Sequence, residues 1–290
     1  MIKIANPAMT ARLSATQPLN SSKIIGLVKR HPWATLAATG VIALLGAGSI
    51  YCIIRLKSTP NASSANQPPP LCQAAKEGTP KQVEALIQNG SKVNVVEPIK
   101  KRSPLHLAVK SGNTDIVNLL LENHADVTVG DIDQQTPLHL AAKNGCTEIV
   151  RALIESGSEV NARDVGHRTP LHWAAWKGQA EVMNILLENG AYANAQTTQG
   201  WTPLHCAVVF SNDPATLDNR ITALTREGGN VNATDNEGQT PLHWAAESMN
   251  ASAIDMLILQ SANVDALDQE GRTYLDIASL AKKSLWDSLD

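Results

Sequence analysis

Apolar positions along the chain fall into two regimes. From Pro32 to Ile54 the run PWATLAATGVIALLGAGSIYCII contains no charge. From Leu71 onward the apolar residues come in short bursts separated by polar punctuation. One burst follows the tetrapeptide SPLH at Ser103 or TPLH at Thr136, Thr169, Thr202 and Thr240; a second includes triplets such as Leu119, Leu120, Leu121 or Ile185, Leu186, Leu187. A hydroxyl side chain directly before proline marks a helix start, because the oxygen caps a free backbone N–H and proline at the first helical position loses no hydrogen bond. Pro137, Pro170, Pro203 and Pro241 all stand there. The second burst forms the apolar face of a second helix, and Gly90, Gly157 and Gly190 stop it with a left-handed residue. Pairs such as Ala141 and Ala142, Ala174 and Ala175, or Ala245 and Ala246 let adjacent helices approach to about 8 Å. The pattern predicts an all-α chain of short paired helices.

The tetrapeptides are 33, 33, 33 and 38 residues apart, and Thr273 repeats the position 33 residues later. A degenerate earlier copy begins at Pro70. Asp131 to Arg163, DIDQQTPLHLAAKNGCTEIVRALIESGSEVNAR, shows the unit most completely. It resembles the ankyrin repeat. That resemblance implies a solenoid of about seven helix-turn-helix units over residues 70–97, 98–130, 131–163, 164–196, 197–234, 235–267 and 268–290. One such unit cannot bury its own apolar face, so neighbours must stack and the end units must differ. They do: Cys72 and Asp276 replace the histidine of the tetrapeptide in the first and last units. The fifth unit carries five extra residues, and the sixth has Met249 and Ser261 where glycine is usual. A side chain in a left-handed cap costs on the order of 1 kcal/mol. Units five and six are therefore expected to form the weakest joint.

The charge-free run is 23 residues long, bracketed by Lys29, Arg30, Arg55 and Lys57. As a helix it would measure roughly 34 Å against the roughly 30 Å of a bilayer's hydrocarbon layer. It predicts one transmembrane helix over 32–54, preceded by a basic leader, 1–31, and followed by a Pro/Ser/Asn linker, 55–69, with the bilayer as a partner. The excess of basic residues before the run favours a cytoplasmic N-terminus. Small residues Ala43, Gly46, Ala47 and Gly48 would permit self-association of such a helix.

The overall charge of −3 averages two unlike parts. Residues 1–76 hold eight basic side chains and no acidic one, leaving 16 basic and 27 acidic side chains, a net of −11, for the rest. Such a surface does not suit a nucleic-acid backbone. His106, His139, His172, His205 and His243 form a row, but adjacent helices about 8 to 10 Å apart cannot bring them to within about 2 Å of one metal ion. The resemblance implies that they make structural hydrogen bonds tying turn to helix. Cys52, Cys72, Cys146 and Cys206 form no CxxC pair, and no phosphate-binding, nucleophile-elbow or zinc-protease motif occurs. No catalytic residue, cofactor, metal or small-molecule substrate is expected, and an ankyrin-bearing enzyme would need motifs that are missing.

An ankyrin stack presents a concave face made of its turn fingers and the outward positions of its first helices. Here those positions include Lys101, Arg102 and Lys110 in unit two, Arg168, Trp176 and Lys177 in unit four, and Trp201 and Phe210 in unit five. Three of the chain's ten aromatic residues thus meet on one variable face, as binding hot spots do. Trp173 and Trp244 take places usually held by a core leucine. The expected function is protein–protein interaction by a membrane-held scaffold or adaptor, with an acidic partner toward unit two. A secreted effector of a host-associated microbe, sequestering a host protein, fits the same features.

Overall fold

The computed structural model describes residues 41–46, 49–55, 67–209 and 214–287. The chain divides into two units, Met1–Ala65 and Asn66–Asp290. In the first, strand β1 (Val41–Gly46) pairs antiparallel with β2 (Ser49–Arg55), from Val41 opposite Arg55 to Gly46 opposite Ser49, with a register shift at Leu44/Leu45. This corrects the expected transmembrane helix over 32–54. No helix among the described residues is long and apolar enough to cross a membrane. The run lacks a helical period because every position is apolar or small, and such a run does not distinguish helix from strand. Its second half is rich in β-branched and aromatic residues, Val41, Ile42, Ile50, Tyr51, Ile53 and Ile54, while Gly46 and Gly48 weaken a helix at its middle. Ala43 and Gly46, expected on a helix–helix contact, lie instead in β1. Leader residues 1–31 and linker residues 56–66 fall outside the described part.

In the second unit the expected helix pairs are present. The inner layer consists of α1 (Pro70–Glu77), α3 (Pro104–Ser111), α5 (Pro137–Asn144), α7 (Pro170–Lys177), α9 (Pro203–Val209), α11 (Pro241–Glu247) and α13 (Tyr274–Asp287). The outer layer is α2 (Pro80–Gln88), α4 (Thr114–Glu122), α6 (Thr147–Glu155), α8 (Ala180–Glu188), α10 (Pro214–Arg226) and α12 (Ala251–Leu259). Each helix from α1 to α12 packs on its pair-mate, and successive helices within a layer pack on one another, α13 on α11 included. The alanine pairs at 141/142, 174/175 and 245/246 are wholly buried between inner helices, as their size predicted. Leu120, Leu153, Leu186, Leu224 and Leu257 are wholly buried on the outer helices and close one continuous core.

The five extra residues of unit five are largely absorbed as helix: α10 runs for 13 residues where the other outer helices run for nine. The extra turn has a structural use. Arg220 on α10, 1% exposed, donates from Nη1 to the carbonyl of Ala175 near the end of α7 at 3.3 Å, and from Nε to Thr216 O at 3.2 Å. A cation on the last carbonyls of a helix satisfies acceptors that the helix leaves free. Unit five is thereby fastened to unit four.

Left-handed positions occur where expected and also elsewhere. Gly90, Gly157 and Gly190 have φ of 84°, 87° and 81°, and Met249 and Ser261 have φ of 52° and 66°. His124 adopts the same conformation in unit two (φ 59°), as do the finger-tip residues Lys101, Gln134 and His167 at 53° to 59°. Strain is thus spread through the stack rather than confined to its sixth unit. Met249→Gly and Ser261→Gly should each raise the unfolding free energy by up to about 1 kcal/mol. Urea midpoints of the two variants test this, and an unchanged or lower midpoint counts against strain at that position.

Candidate functional site

Units three to seven each begin with a finger-shaped turn held by one polar side chain. Asp164 Oδ1 accepts the N–H groups of Gly166 and Arg168 at 2.9 and 3.0 Å; Asp131, Asp235 and Asp268 repeat the pattern, and Thr197 does so with its hydroxyl. The fingers are also linked in series. Ile132 N–H donates to Lys100 O at 2.9 Å and Val165 N–H to Asp133 O at 3.0 Å, and the series continues through Thr198, Asn236 and Gln269. Behind the fingers, Asn161 and Asn194 hold the next unit with both amide atoms: Asn161 accepts from Tyr192 N–H at 2.8 Å and donates to Gly190 O at 2.9 Å, and Asn194 does the same with Asn230 and Gly228. Asn94 and Asn232 accept in the same way from Asp126 and Asn263.

The five tetrapeptide histidines are buried, at 0% or 1% exposure. In each, Nδ1 accepts the backbone N–H of the capping Ser103, Thr136, Thr169, Thr202 or Thr240 at 3.0 to 3.2 Å, and that residue's hydroxyl lies 2.8 to 2.9 Å from the same nitrogen. An Nδ1 that accepts leaves the proton on Nε2. Nε2 then donates at 2.9 to 3.2 Å to a carbonyl of the following unit: Gln135, Arg168, Trp201, Gln239 or Arg272. The implied link between turn and helix is present, and it also joins unit to unit. Burial pushes His172 and His205 down to about 4 and lowers His106 and His139 in the same direction. Both ring nitrogens are thus engaged in holding the fold.

The end units show what the histidine does by what replaces it. Cys72 Sγ points to the carbonyl of Arg102, the acceptor a histidine would have used, but at 4.0 Å. Asp276 Oδ2 accepts Thr273 N–H at 2.9 Å and the Thr273 hydroxyl at 2.7 Å, completing the cap within its own unit.

Along the inner layer and its fingers the aromatic residues pair differently from the sequence expectation. Trp176 stacks on Trp173, with centroids 5.5 Å apart and planes 13° from parallel. Trp201 meets Trp244 edge-on at 4.6 Å. Phe210 falls outside the described residues. Trp173, expected in the core, is a buried platform whose ring is approached by Lys143 Nζ and the Arg168 guanidinium, each 4.4 Å from a ring centroid. Its indole N–H donates to Asp164 Oδ2 at 3.1 Å, and Trp244 makes the same bond to Asp235 Oδ2 at 2.8 Å. The Asp-to-Trp spacing of nine in both units was the available sequence signal for this pairing.

Electrostatics sharpen the face further. Arg102, expected to meet a partner, is 9% exposed and bonded through Nε to Asp131 Oδ2 at 3.1 Å, so it is spent on joining units two and three. Arg168 is half-buried and paired with Asp164 at 2.9 Å. Lys101, Lys110 and Lys177 are exposed. Among the described residues, Lys110, Lys143 and Lys177 meet no carboxylate at ion-pair distance. Partial burial, then the charges of Lys177, Arg168, Arg102 and Lys110, press the Lys143 ammonium below its ordinary value. Lys143 is thus central to a basic surface on a net acidic solenoid. Its place in the sequence does not single it out, because its contact with Trp173 comes from the neighbouring unit.

A model of the family described as "Ankyrin repeats (3 copies)" matches residues 71–164, 130–197, 163–218 and 215–285. Among solved structures, the crystal structure of the human ASB11 ankyrin repeat domain is similar, with a TM-score of 0.65 and 31% identity over 72% of this chain and 91% of that one. No curated protein matches.

Proposed function

Because the chain belongs to the ankyrin-repeat family, whose units are typically non-catalytic protein-binding modules, we propose that it is a scaffold or adaptor whose concave face captures a protein partner. The observation that carries this reading is the stacked Trp173–Trp176 pair with Lys143 and Arg168 against it and Lys110 and Lys177 unpaired nearby. A rigid aromatic surface supplies contact area at little entropic cost, while unpaired cations select acidic partners and speed their encounter. The apolar anchor belongs at the middle of the groove and the acidic part of the partner toward unit two.

The test is partner capture from cross-linked cells by wild type and by a Lys143→Glu/Lys177→Glu variant. Both side chains lie outside the core, so the helical circular dichroism should persist while captured partner falls by about tenfold or more, as one to two lost charge contacts imply. Equal capture by a folded variant places the partner elsewhere.

Attachment to a lipid bilayer is supported by composition alone: Pro32 to Ile54 has no charge and is bracketed by basic residues. Flotation of the full chain with liposomes tests it, with Leu44→Lys/Ile53→Lys expected to remain at the bottom of the gradient.

A further inference from the structure

The finger series carries a feature that the aromatic platform does not explain. Ile99, Ile132 and Val165 occupy one place in three successive fingers, exactly one repeat apart, and are 69%, 53% and 57% exposed. Ile99 lines a depression of about 240 Å³ with Leu107, Lys110 and Glu97, so this place faces the groove beside the lysines. Such a volume admits one or two side chains and not a helix about 10 to 12 Å across. The row stops after unit four. Its next members are Thr198, Asn236 and Gln269, and the amides of Asn236 and Gln269 donate to the preceding finger's carbonyls at 2.9 and 2.8 Å. Units two to four therefore offer one exposed aliphatic side chain and one lysine without a carboxylate partner each, Lys110, Lys143 and Lys177 in turn.

The spacing of that double row restricts what can lie along it. Successive units stand about 8 to 10 Å apart. In a polyproline II segment, with three residues per turn and a rise of about 3.1 Å, every third side chain returns to the same face after about 9.3 Å. A β-strand returns after about 6.7 Å, at every second residue, and matches neither one step nor the next. An α-helix matches only with a seven-residue interval, at about 10.5 Å, and is too wide for the depression beside Ile99.

We propose that the groove over units two to four binds an extended acidic peptide segment in the polyproline II conformation, with an apolar side chain at every third position and carboxylates between. Each turn of the segment addresses one repeat: the apolar residue meets Ile99, Ile132 or Val165, and a carboxylate meets the lysine of that repeat. The proposal rests on the concave face being the protein-binding surface, and it adds conformation, register and extent.

Full-length protein is titrated by fluorescence anisotropy with labelled synthetic peptides of about 15 residues, long enough to hold three Leu residues, one per repeat, at the widest spacing compared. All carry the same number of Glu and Leu residues, with Leu at every third, every second or every seventh position. The every-third peptide should bind about tenfold tighter than the other two, and Ile132→Ser should remove that advantage while the helical signal is kept. Equal affinity for all three spacings, abolished by Lys143→Glu, would overturn the register and leave the protein-binding face intact. Tightest binding by the every-seventh peptide would replace the extended segment with a helix. Absence of binding by every acidic peptide, or equal binding of an oligothymidine of similar charge, would overturn the peptide reading of these units altogether.

Discussion

Replacing His172 with alanine is expected to lower the unfolding free energy by on the order of 4 kcal/mol, the largest loss for any single polar side chain of the inner helices. The ring is fully buried and accepts from Thr169 N–H at 3.1 Å, pairs with the Thr169 hydroxyl at 2.9 Å and donates to Trp201 O at 3.0 Å. Alanine leaves the Thr169 N–H without a partner in the interior, at a cost of about 1 to 3 kcal/mol, takes one of two donors from Trp201 O, which keeps Thr197 N–H at 2.9 Å, and opens a cavity beside them. Because coupling between units decides the cooperativity of a solenoid, the same change should split one urea transition into two, separating units one to four from units five to seven. Urea unfolding followed by circular dichroism and by tryptophan fluorescence measures both effects. A loss below about 1 kcal/mol with coincident transitions would show that this hydrogen-bond link contributes little.

Acid should act on the links of units two to five together. His172 and His205 hold protons only near pH 4 in the fold, against about 6.5 in an unfolded chain, and burial lowers His106 and His139 as well. Between those limits the unfolded chain binds more protons than the native one. The contribution is therefore complete above about pH 6.5 and is lost as the pH falls toward 4. Each fully titrating imidazole withdraws about 1.4 kcal/mol per pH unit, so His172 and His205 together withdraw an amount comparable to the stability margin of a typical domain across that interval. Protonation at Nδ1 would also set a proton against the donor N–H of the capping threonine. Urea midpoints at pH 7.5, 6.5, 5.5 and about 4.5 should stay level between the first two and then fall steeply. A level profile down to about 4.5 would mean that these rings keep ordinary affinities in the fold.

The repeat was legible because its determinants are local and recur. Thr169, Pro170 and Gly190 state a helix start and a helix stop within their own unit, and five copies exclude coincidence. Contacts between units were harder to read. Lys143 reaches Trp173 only because two units stack, and Arg102 turns from the groove to Asp131 in the following finger. Nothing within Lys100 to Ser103 distinguishes that arginine from an exposed one. Trp173 was placed in the core by alignment with leucine, but the indole N–H needs an acceptor, and Asp164 nine residues earlier supplies it. The apolar run at 32–54 misled for the opposite reason. With no polar residue to mark a face, its composition gave hydrophobicity without period, and β-branched side chains after Val41 decide for strands.

The histidine links have a direction, which bears on how the chain acquires its structure as it is synthesised. Each imidazole grips a carbonyl 29 residues further along, or 34 across the longer fifth unit, and none reaches backward. A newly made unit therefore emerges with its donor ready and its acceptor not yet translated. It stays unlatched until the next finger appears, so closure must lag elongation by about one unit throughout. Asp276 is free of this dependence, since its carboxylate completes the cap within its own unit. A chain halted before that point always carries one open latch at its growing edge, whereas a chain shortened from its front carries none.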